Sequence, residues 1–411
     1  MKHEPLRITI LASIIVCIIA IGISVFFISN NEEPEKTKVD TEVVNIQRTI
    51  PEKDAQHSYI IVNVDAKNNG GKFTFADLTG EMVSDQLYDV LSVADNGMYY
   101  FKKDATQGFI GDDGRIVFST EEVISTNVSE EFVIYSANNK KGFINITTGE
   151  KIKAVYDAAQ DFSEGLAAVQ IGDATGFINT SGELVIPCEY SNNALYQFKS
   201  GLCNVMTGTA ADGNLKAFYI NTDGEKVFEK EYNYCMPFSE ERAFVSEEGR
   251  WYVINNLGEK VGELEFGPYV KTVPTVFRDG RAVVVKDGKY GIIDTDGNYV
   301  VSPVYEQISE ITDGGAVFKR DGLYGYMNRD GAIVITPRYE SLSNFKNGLA
   351  VFSQDHKYGV VDKAATVVVN AEYEDISLMD NGLIKISITD TEVLYCDKFG
   401  KVIYETAADA E

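Results

Sequence analysis

From Tyr290 the chain reads Y-G-I-I-D-T-D-G-N-Y-V-V-S-P-V-Y-E, from Tyr324 Y-G-Y-M-N-R-D-G-A-I-V-I-T-P-R-Y-E, and from Phe345 F-K-N-G-L-A-V. Most of the remaining sequence repeats this phrase with errors. The two long copies begin 34 residues apart, and a fixed period of that size marks a solenoid, propeller or array. With the turn glycine as a ruler, the phrase recurs at Gly80, Gly114, Gly149, Gly182, Gly224, Gly258, Gly297 and Gly331, then at Ala365 in place of glycine, and at Gly400.

Each unit holds three apolar runs of strand length, such as Leu349-Ala350-Val351-Phe352, Tyr358-Gly359-Val360-Val361 and Thr366-Val367-Val368-Val369, rich in β-branched and aromatic residues. They predict three antiparallel strands per unit. Between the second and third stands an Asx three residues before the glycine, at Asp77, Asn179, Asn221, Asn255, Asp294, Asn328 and Asp397. An Asx side chain caps the turn backbone while glycine supplies positive φ, so a hairpin follows. Tyrosine comes eight positions after the glycine at Tyr88, Tyr190, Tyr232, Tyr305, Tyr339 and Tyr373. Pro187, Pro303 and Pro337 shortly before it predict the end of the third strand, because proline cannot donate to a ladder. A second phrase, Phe-x-x-Gly, opens the next unit at Phe162, Phe198, Phe277 and Phe345.

The expected fold is all-β: a tandem array of about ten three-stranded meanders over 58–405, followed by a 406–411 tail. Ten units exceed the roughly 4–8 blades of one ordinary propeller. The sequence therefore leaves open a propeller-like arrangement, an open twisted array, or more than one body.

The first 57 residues are different in kind. Ile8 to Ile28 gives 21 residues without a charge, long enough to cross a hydrocarbon core of ~30 Å as one transmembrane helix. Lys2 and Arg7 precede it and Glu32-Glu33 follow, which places the 1–7 stub in the cytoplasm and the repeats outside. The apolar run is too long for a cleaved signal peptide. Residues 29–57 are polar and acidic, with Pro34 and Pro51, and read as a flexible linker. The expectation is a single-pass cell-membrane protein whose repeat domain is extracytoplasmic, and shortening the linker should leave repeat-domain stability unchanged.

A balance of 37 basic to 62 acidic residues gives a net charge of −25, which repels nucleic acid and anionic lipid. With three histidines (His3, His57, His356) and no C-x-x-C pair, no zinc or transition-metal spacing is visible. Cys188, Cys203, Cys235 and Cys396 stand on or near strand positions, and both free thiols and bridges remain open.

These phrases resemble the WG (KWG) repeat of bacterial proteins, which pairs an aromatic with glycine and adds a D-x-x-G turn, a Val/Ile strand, a tyrosine and F-x-x-G-L-A. The aromatic-glycine pair stands at Tyr290-Gly291, Tyr324-Gly325 and Tyr358-Gly359, and Trp251 shares that register with Tyr252 in the glycine's place. The resemblance spans about Ser58 to Glu405 and implies an all-β repeat module with no single activity.

No nucleophile motif, phosphate loop or metal signature stands on the chain, so the expectation is a non-enzyme without cofactors. A hydrolase using paired carboxylates is the remote alternative. Asp294-Thr295-Asp296-Gly297 and Asp112-Asp113-Gly114 resemble fragments of calcium loops, but turn chemistry explains them, leaving at most weak surface calcium. The expected function is protein binding or scaffolding at the envelope, by a secreted or envelope partner, with cell-wall glycan as the alternative. Insertions in arrays often map to the binding face, which nominates Thr207, Asp212 and Asn214 in one long loop and Glu263, Glu265 and Tyr269 in another. Tyr99, Tyr100, Tyr196 and Trp251 are the expected exposed aromatics.

Overall fold

The computed structural model describes residues 59–405 apart from 65–70, 78, 95–96, 192–195, 209–213, 267–273, 380–381 and 390–391. The candidate membrane segment, the stub, the linker and the tail lie outside the described residues. The described residues all belong to one compact unit. Among them there is no α-helix.

The described residues form ten small antiparallel sheets in a propeller arrangement, eight of three or four strands and two of two. In chain order, sheets 1 to 10 span 60–76, 90–120, 123–156, 158–191, 203–220, 234–266, 281–305, 307–339, 341–373 and 375–405. Sheet 8 shows the local logic. Leu323–Asn328 pairs with Gly315–Arg320 through the two-residue turn Asp321-Gly322, both residues at positive φ, the hairpin connection whose twist suits flanking strands. At the next turn Asn328 Oδ1 accepts the N–H groups of Asp330 and Ala332 at 3.0 and 2.9 Å, the expected Asx cap.

Two expectations need correction. Seven sheets have four strands rather than three, because the chain pairs again soon after the third apolar run, in six of them just past the tyrosine. Gln307–Ile308 follows Tyr305, Ser341–Leu342 follows Tyr339, and each joins the edge of the next sheet. Such two-residue strands carry too little periodicity to be read in advance. The prolines, moreover, do not end the third apolar run. Pro337 lies inside the strand Ile333–Tyr339, within a bulge where the outer strand takes four residues between paired positions and its neighbour takes two. A bulged residue owes no ladder donation, so proline is tolerated there.

The same bulge explains the aromatic-glycine pair. A Cβ on Gly325 would lie 2.4 Å from the Ile335 carbonyl oxygen and 2.9 Å from Phe318 Cζ. Gly176 and Gly359 face the Ile186 and Val369 carbonyls at 2.5 and 2.6 Å. The glycine is required by close backbone approach, and no positive φ is involved. In sheet 6, where Tyr252 replaces it, the outer strand takes five residues between Val261 and Phe266 against the same two opposite.

Packing runs from sheet to sheet. Along Leu166–Ile171, Ala167 and Val169 face Phe132, Phe143 and Tyr156 of sheet 3, whereas Leu166 and Ala168 face Tyr196, Phe198 and Val205 on the side of sheet 5. A strand buried on both faces reads as a continuous apolar run. Ten hydrophobic clusters fill the seams, and the tenth joins Ile60, Val62 and Ala76 of sheet 1 to Leu383 and Tyr395 of sheet 10. Tyr395 Oη donates to the Ile61 carbonyl at 2.9 Å across 334 residues of sequence. Gly80 meets the Ile403 carbonyl as Gly400 meets that of Val368, each at 2.6 Å from the Cβ it lacks. The first and last sheets thus repeat the contact made between ordinary neighbours, so one closed ring replaces the open array and the multiple bodies.

Candidate binding surface

The ring has two ends and an outer rim. At one end lie the turns that open each unit, and a carboxylate on one turn holds the backbone of the next. Glu130 accepts the N–H groups of Glu164 and Gly165 at 2.6 and 2.9 Å, and Glu164 accepts those of Ser200 and Gly201 at 2.6 and 2.8 Å. Glu240 and Asp313 take the N–H of Gly280 and Gly348 at 2.8 and 2.7 Å. Ser129, Ser163 and Ser239 add hydroxyl donors to the carbonyls of Phe162, Phe198 and Phe277, each at 2.7 Å. Each bond crosses a seam. Sequence reasoning missed these residues, although the signal was present as a hydroxyl-carboxylate pair in the turn, at Ser129-Glu130, Ser163-Glu164, Ser239-Glu240 and Thr312-Asp313. Because the acceptor is charged and two donors are orphaned together, Glu164→Ala should cost about 1–2 kcal/mol, read as a shift in urea midpoint. Glu183→Ala serves as the control, since Glu183 is exposed and meets only its own turn.

At the opposite end the residue after the seam tyrosine does similar work. Asp89, after Tyr88, accepts the Asp104 N–H at 2.8 Å from sheet 2 and pairs with Lys72 beside its own sheet. Asp157, after Tyr156, accepts the Gly172 N–H at 3.0 Å and pairs with Lys140. Asn233 and Glu340 accept from Glu248 and His356 at 3.0 and 3.1 Å. Lys72 and the Asp104 N–H hold the Asp89 carboxyl below its ordinary range, and Lys140 with the Gly172 N–H does the same for Asp157. Lys216 and Lys226 bring Glu231 down to about 2. For Asp313, desolvation raises the value but Lys363 and the Gly348 N–H outweigh it. A depressed folded-state pKa stabilises fully above the unfolded value near 4 and loses that stabilisation as pH falls through the folded value. The urea midpoint should therefore be flat from about pH 7 to 5 and drop steadily from about pH 4 toward 2.

The rim consists of the outermost strands, the most exposed of each sheet. Ile116 with Val117, Leu184 with Val185, and Ile333 with Val334 stand as exposed aliphatic pairs, while Phe118, Ile186 and Ile335 beside them are buried. Val367 and Val402 continue the series on sheets 9 and 10.

The nominated residues fare unevenly. Thr207 is half-buried at the end of Cys203–Thr207, paired with Lys216, and Asn214 is exposed, while Asp212 lies outside the described residues. Glu263 and Glu265 lie on the strand Lys260–Phe266, and Tyr269 lies outside the described residues. The exposed-aromatic expectation is wrong at all four positions. Tyr99 and Tyr100 point into the seams on either side of sheet 2, Tyr196 fills the seam between sheets 4 and 5, and Trp251, 1% exposed, packs with Phe244 and Phe277 between sheets 6 and 7. Their hydroxyls are used inside: Tyr100 donates to Gln107 at 2.6 Å, and Tyr196 donates to the Ser191 carbonyl at 2.6 Å. Both faces of the strands that carry Tyr99, Tyr100 and Trp251 are seams, and Tyr196 enters a seam from the connection before Cys203–Thr207, so a position outside the tyrosine register is still a core position.

The four described cysteines are free thiols. Burial pushes Cys203 up to about 12 and Cys235 higher still, which leaves both unreactive. Asp294 Oδ1 accepts the N–H groups of Asp296 and Asn298 at 3.0 and 2.8 Å, the turn role weighed against calcium. Among the described residues no group of three or more His, Cys, Asp or Glu side chains is placed to hold a metal.

Residues 142–173, 176–208, 218–251, 290–324, 324–358 and 358–390 match the WG containing repeat. Together these stretches cover just under half of the chain. The WG frame and the sheets are out of phase: the repeat 290–324 begins in the second hairpin strand of sheet 7 and ends in that of sheet 8. One matched repeat therefore contains one seam, with its tyrosine and the turn that opens the next unit. No curated protein matches the chain. Solved structures give loose likenesses. A eukaryotic initiation factor has a TM-score of 0.48 at 10% identity, covering 76% of this chain and 95% of that one. Kluyveromyces lactis Hsv2 with loop 6CD replaced by a Gly-Ser linker has 0.35 at 13%, covering 59% and 94%. The dihydro-heme d1 dehydrogenase NirN in complex with DHE has 0.35 at 11%, covering 64% and 70%.

Proposed function

We propose that this WG-repeat ring is a non-catalytic binding or scaffold module, held outside a membrane by Ile8 to Ile28 with its N-terminus inside, and that its partner is a protein of the envelope or a secreted protein. The observation that carries the reading is the rim. Exposed aliphatic pairs recur on the outermost strands of separate sheets, and repeated exposed apolar surface on a rigid frame fits an interaction site. The carboxylates that clamp both ends are engaged with backbone N–H groups and lysines, which removes them as ready acid and base partners. Glycan binding is the weaker reading, because the aromatics that would stack on sugar rings are in the seams.

The test is a pull-down with the full-length chain on envelope proteins and on purified cell wall. Saturable capture of one protein, weakened by Ile333→Lys on the rim, is the expected result. Capture by cell wall alone, competed by free sugar, would replace the protein reading with the glycan one. Release of soluble fragments from the wall would replace it with the catalytic one.

A further inference from the structure

The rim is not uniform in charge. Between the turn glycine and the position eight residues on, the outer stretch of every sheet from 1 to 6 carries at least one carboxylate, such as Glu81 and Asp85, Glu183 and Glu189, or Glu259, Glu263 and Glu265. Over the corresponding stretches of sheets 7, 8 and 9, residues 297–305, 331–339 and 365–373, the only charges are Arg338 and Glu372. Val304, Ile333, Val334 and Val367 are exposed on the same arc. The three sheets are neighbours: the Cβ that Gly331 lacks would lie 2.5 Å from Val301, and Ala365 packs on the cluster of Ile335 and Tyr339. In a chain of net charge −25, an apolar arc whose charges sum to zero has the composition of a contact surface, where charged residues are depleted.

Sheets 8 and 9 present matching side chains in matching registers. Two residues after the turn glycine or its alanine stand Ile333 and Val367, five after it Thr336 and Asn370, and seven after it Arg338 and Glu372, all six exposed. Apolar is matched with apolar, hydroxyl with amide, and cation with anion. Arg338 lies over the Tyr339 ring at 5.1 Å, and among the described residues neither it nor Glu372 takes part in an ion pair of its own ring. When two rings are set rim to rim about a twofold axis that runs parallel to the ring axes and between sheets 8 and 9, each contact occurs twice. Ile333 then meets Val367 of the second copy, Thr336 meets its Asn370, and Arg338 meets its Glu372. An axis centred on sheet 8 would set Arg338 against itself, and one between sheets 7 and 8 would set it against Val304. The placement of the two charges therefore selects the axis.

Resting on the reading of the rim as a protein-binding surface, we propose that the partner taken by sheets 8 and 9 is a second copy of this chain, docked side by side as a twofold dimer with the ring axes parallel. At physiological salt, exposed charges more than about 8 Å apart are largely screened, so the charge at the contact decides whether two acidic molecules can meet. The outer strands of sheets 1 to 6 would bring carboxylate to carboxylate, and those of sheets 8 and 9 bring Arg338 to Glu372. Parallel axes also put Tyr59 of both copies at the same end, as two chains anchored in one membrane need.

The experiment follows the full-length chain in detergent by sedimentation velocity over a range of concentrations. Parent, Arg338→Glu, Glu372→Arg and an equal mixture of these two variants are compared, with urea midpoints as the check on folding. Glu189→Arg, in the same register on sheet 4, is the control. The expected result is a concentration-dependent dimer for the parent and for Glu189→Arg, with the dissociation constant raised about tenfold or more in each single variant alone, because each change acts twice. The mixture should recover to within about threefold of the parent, since a pair of unlike variants restores both ion pairs across the contact and none within a ring. A parent that stays monomeric, single variants that dimerise as the parent does, or a mixture as weak as its components would overturn the proposal. In the pull-down above, capture of a different protein that is lost in Ile333→Lys while the parent sediments as a monomer overturns the second copy and leaves the protein-binding reading standing. That reading falls only on its own pull-down.

Discussion

Gly325→Ala is expected to cost about 3 kcal/mol or more, near the upper end for adding one carbon to a packed site. The new Cβ would stand 2.4 Å from the Ile335 carbonyl oxygen and 3.0 Å from the Pro337 nitrogen, both backbone atoms of the neighbouring strand, and 2.9 Å from the Phe318 ring. Backbone on one side and a buried ring on the other leave no flexible side chain to yield. The bulge must move, and with it Tyr339, which seals the seam to sheet 9. Gly322→Ala is the internal control. Gly322 sits at φ +79° with open space around it, so an alanine there meets only the left-handed backbone penalty of about 1–2 kcal/mol. Urea unfolding of the two variants separates the two reasons for glycine within one sheet. Equal losses would mean that the aromatic-glycine pair is another turn signal and that close strand approach is not its cause.

Trp251→Ala should cost about 3–5 kcal/mol, the range for removing a buried large aromatic side chain. Trp251 lies in the cluster of Phe244, Val253, Phe277 and Ala282, with the Tyr234 ring edge-on at 5.8 Å. The loss falls on the seam between sheets 6 and 7, where the aromatic-glycine pair is already altered to Trp251-Tyr252. Intrinsic fluorescence from this single tryptophan gives a second reading: a blue-shifted emission resistant to iodide quenching is expected in the folded parent protein. Ready quenching, or a stability change below about 0.5 kcal/mol as at an ordinary surface position, would return Trp251 to the rim.

The period, the hairpins and the Asx turns were legible in the sequence because each is local. Asn328 and Gly331 lie three residues apart and state their turn without help from the rest of the chain. Closure was not legible, since the bond from Tyr395 to Ile61 joins the two ends of the array and neither residue differs in kind from its counterparts. The four aromatics were misplaced for a related reason. In a strand packed between two neighbours both faces are buried, so Tyr99 and Tyr100, side by side, enter different seams. The acidic balance was read as a statement about partners, yet Glu130, Glu164, Asp89 and Asp157 serve the ring itself by holding turn backbones across seams.

Closure of the ring is the claim on which the seams, the clamps and the rim all depend. Met82, Val367 and Val402 are 47%, 45% and 46% exposed and occupy the same position, two residues after the turn glycine or its alanine, on sheets 1, 9 and 10. Spin labels on Met82→Cys with Val402→Cys, and on Val367→Cys with Val402→Cys, allow the distance across the closing seam to be compared with that across an ordinary one by pulsed electron resonance. A closed ring predicts two narrow distributions with the same mean. A Met82 to Val402 distance far longer or much broader than the Val367 to Val402 distance would show that the ends do not meet.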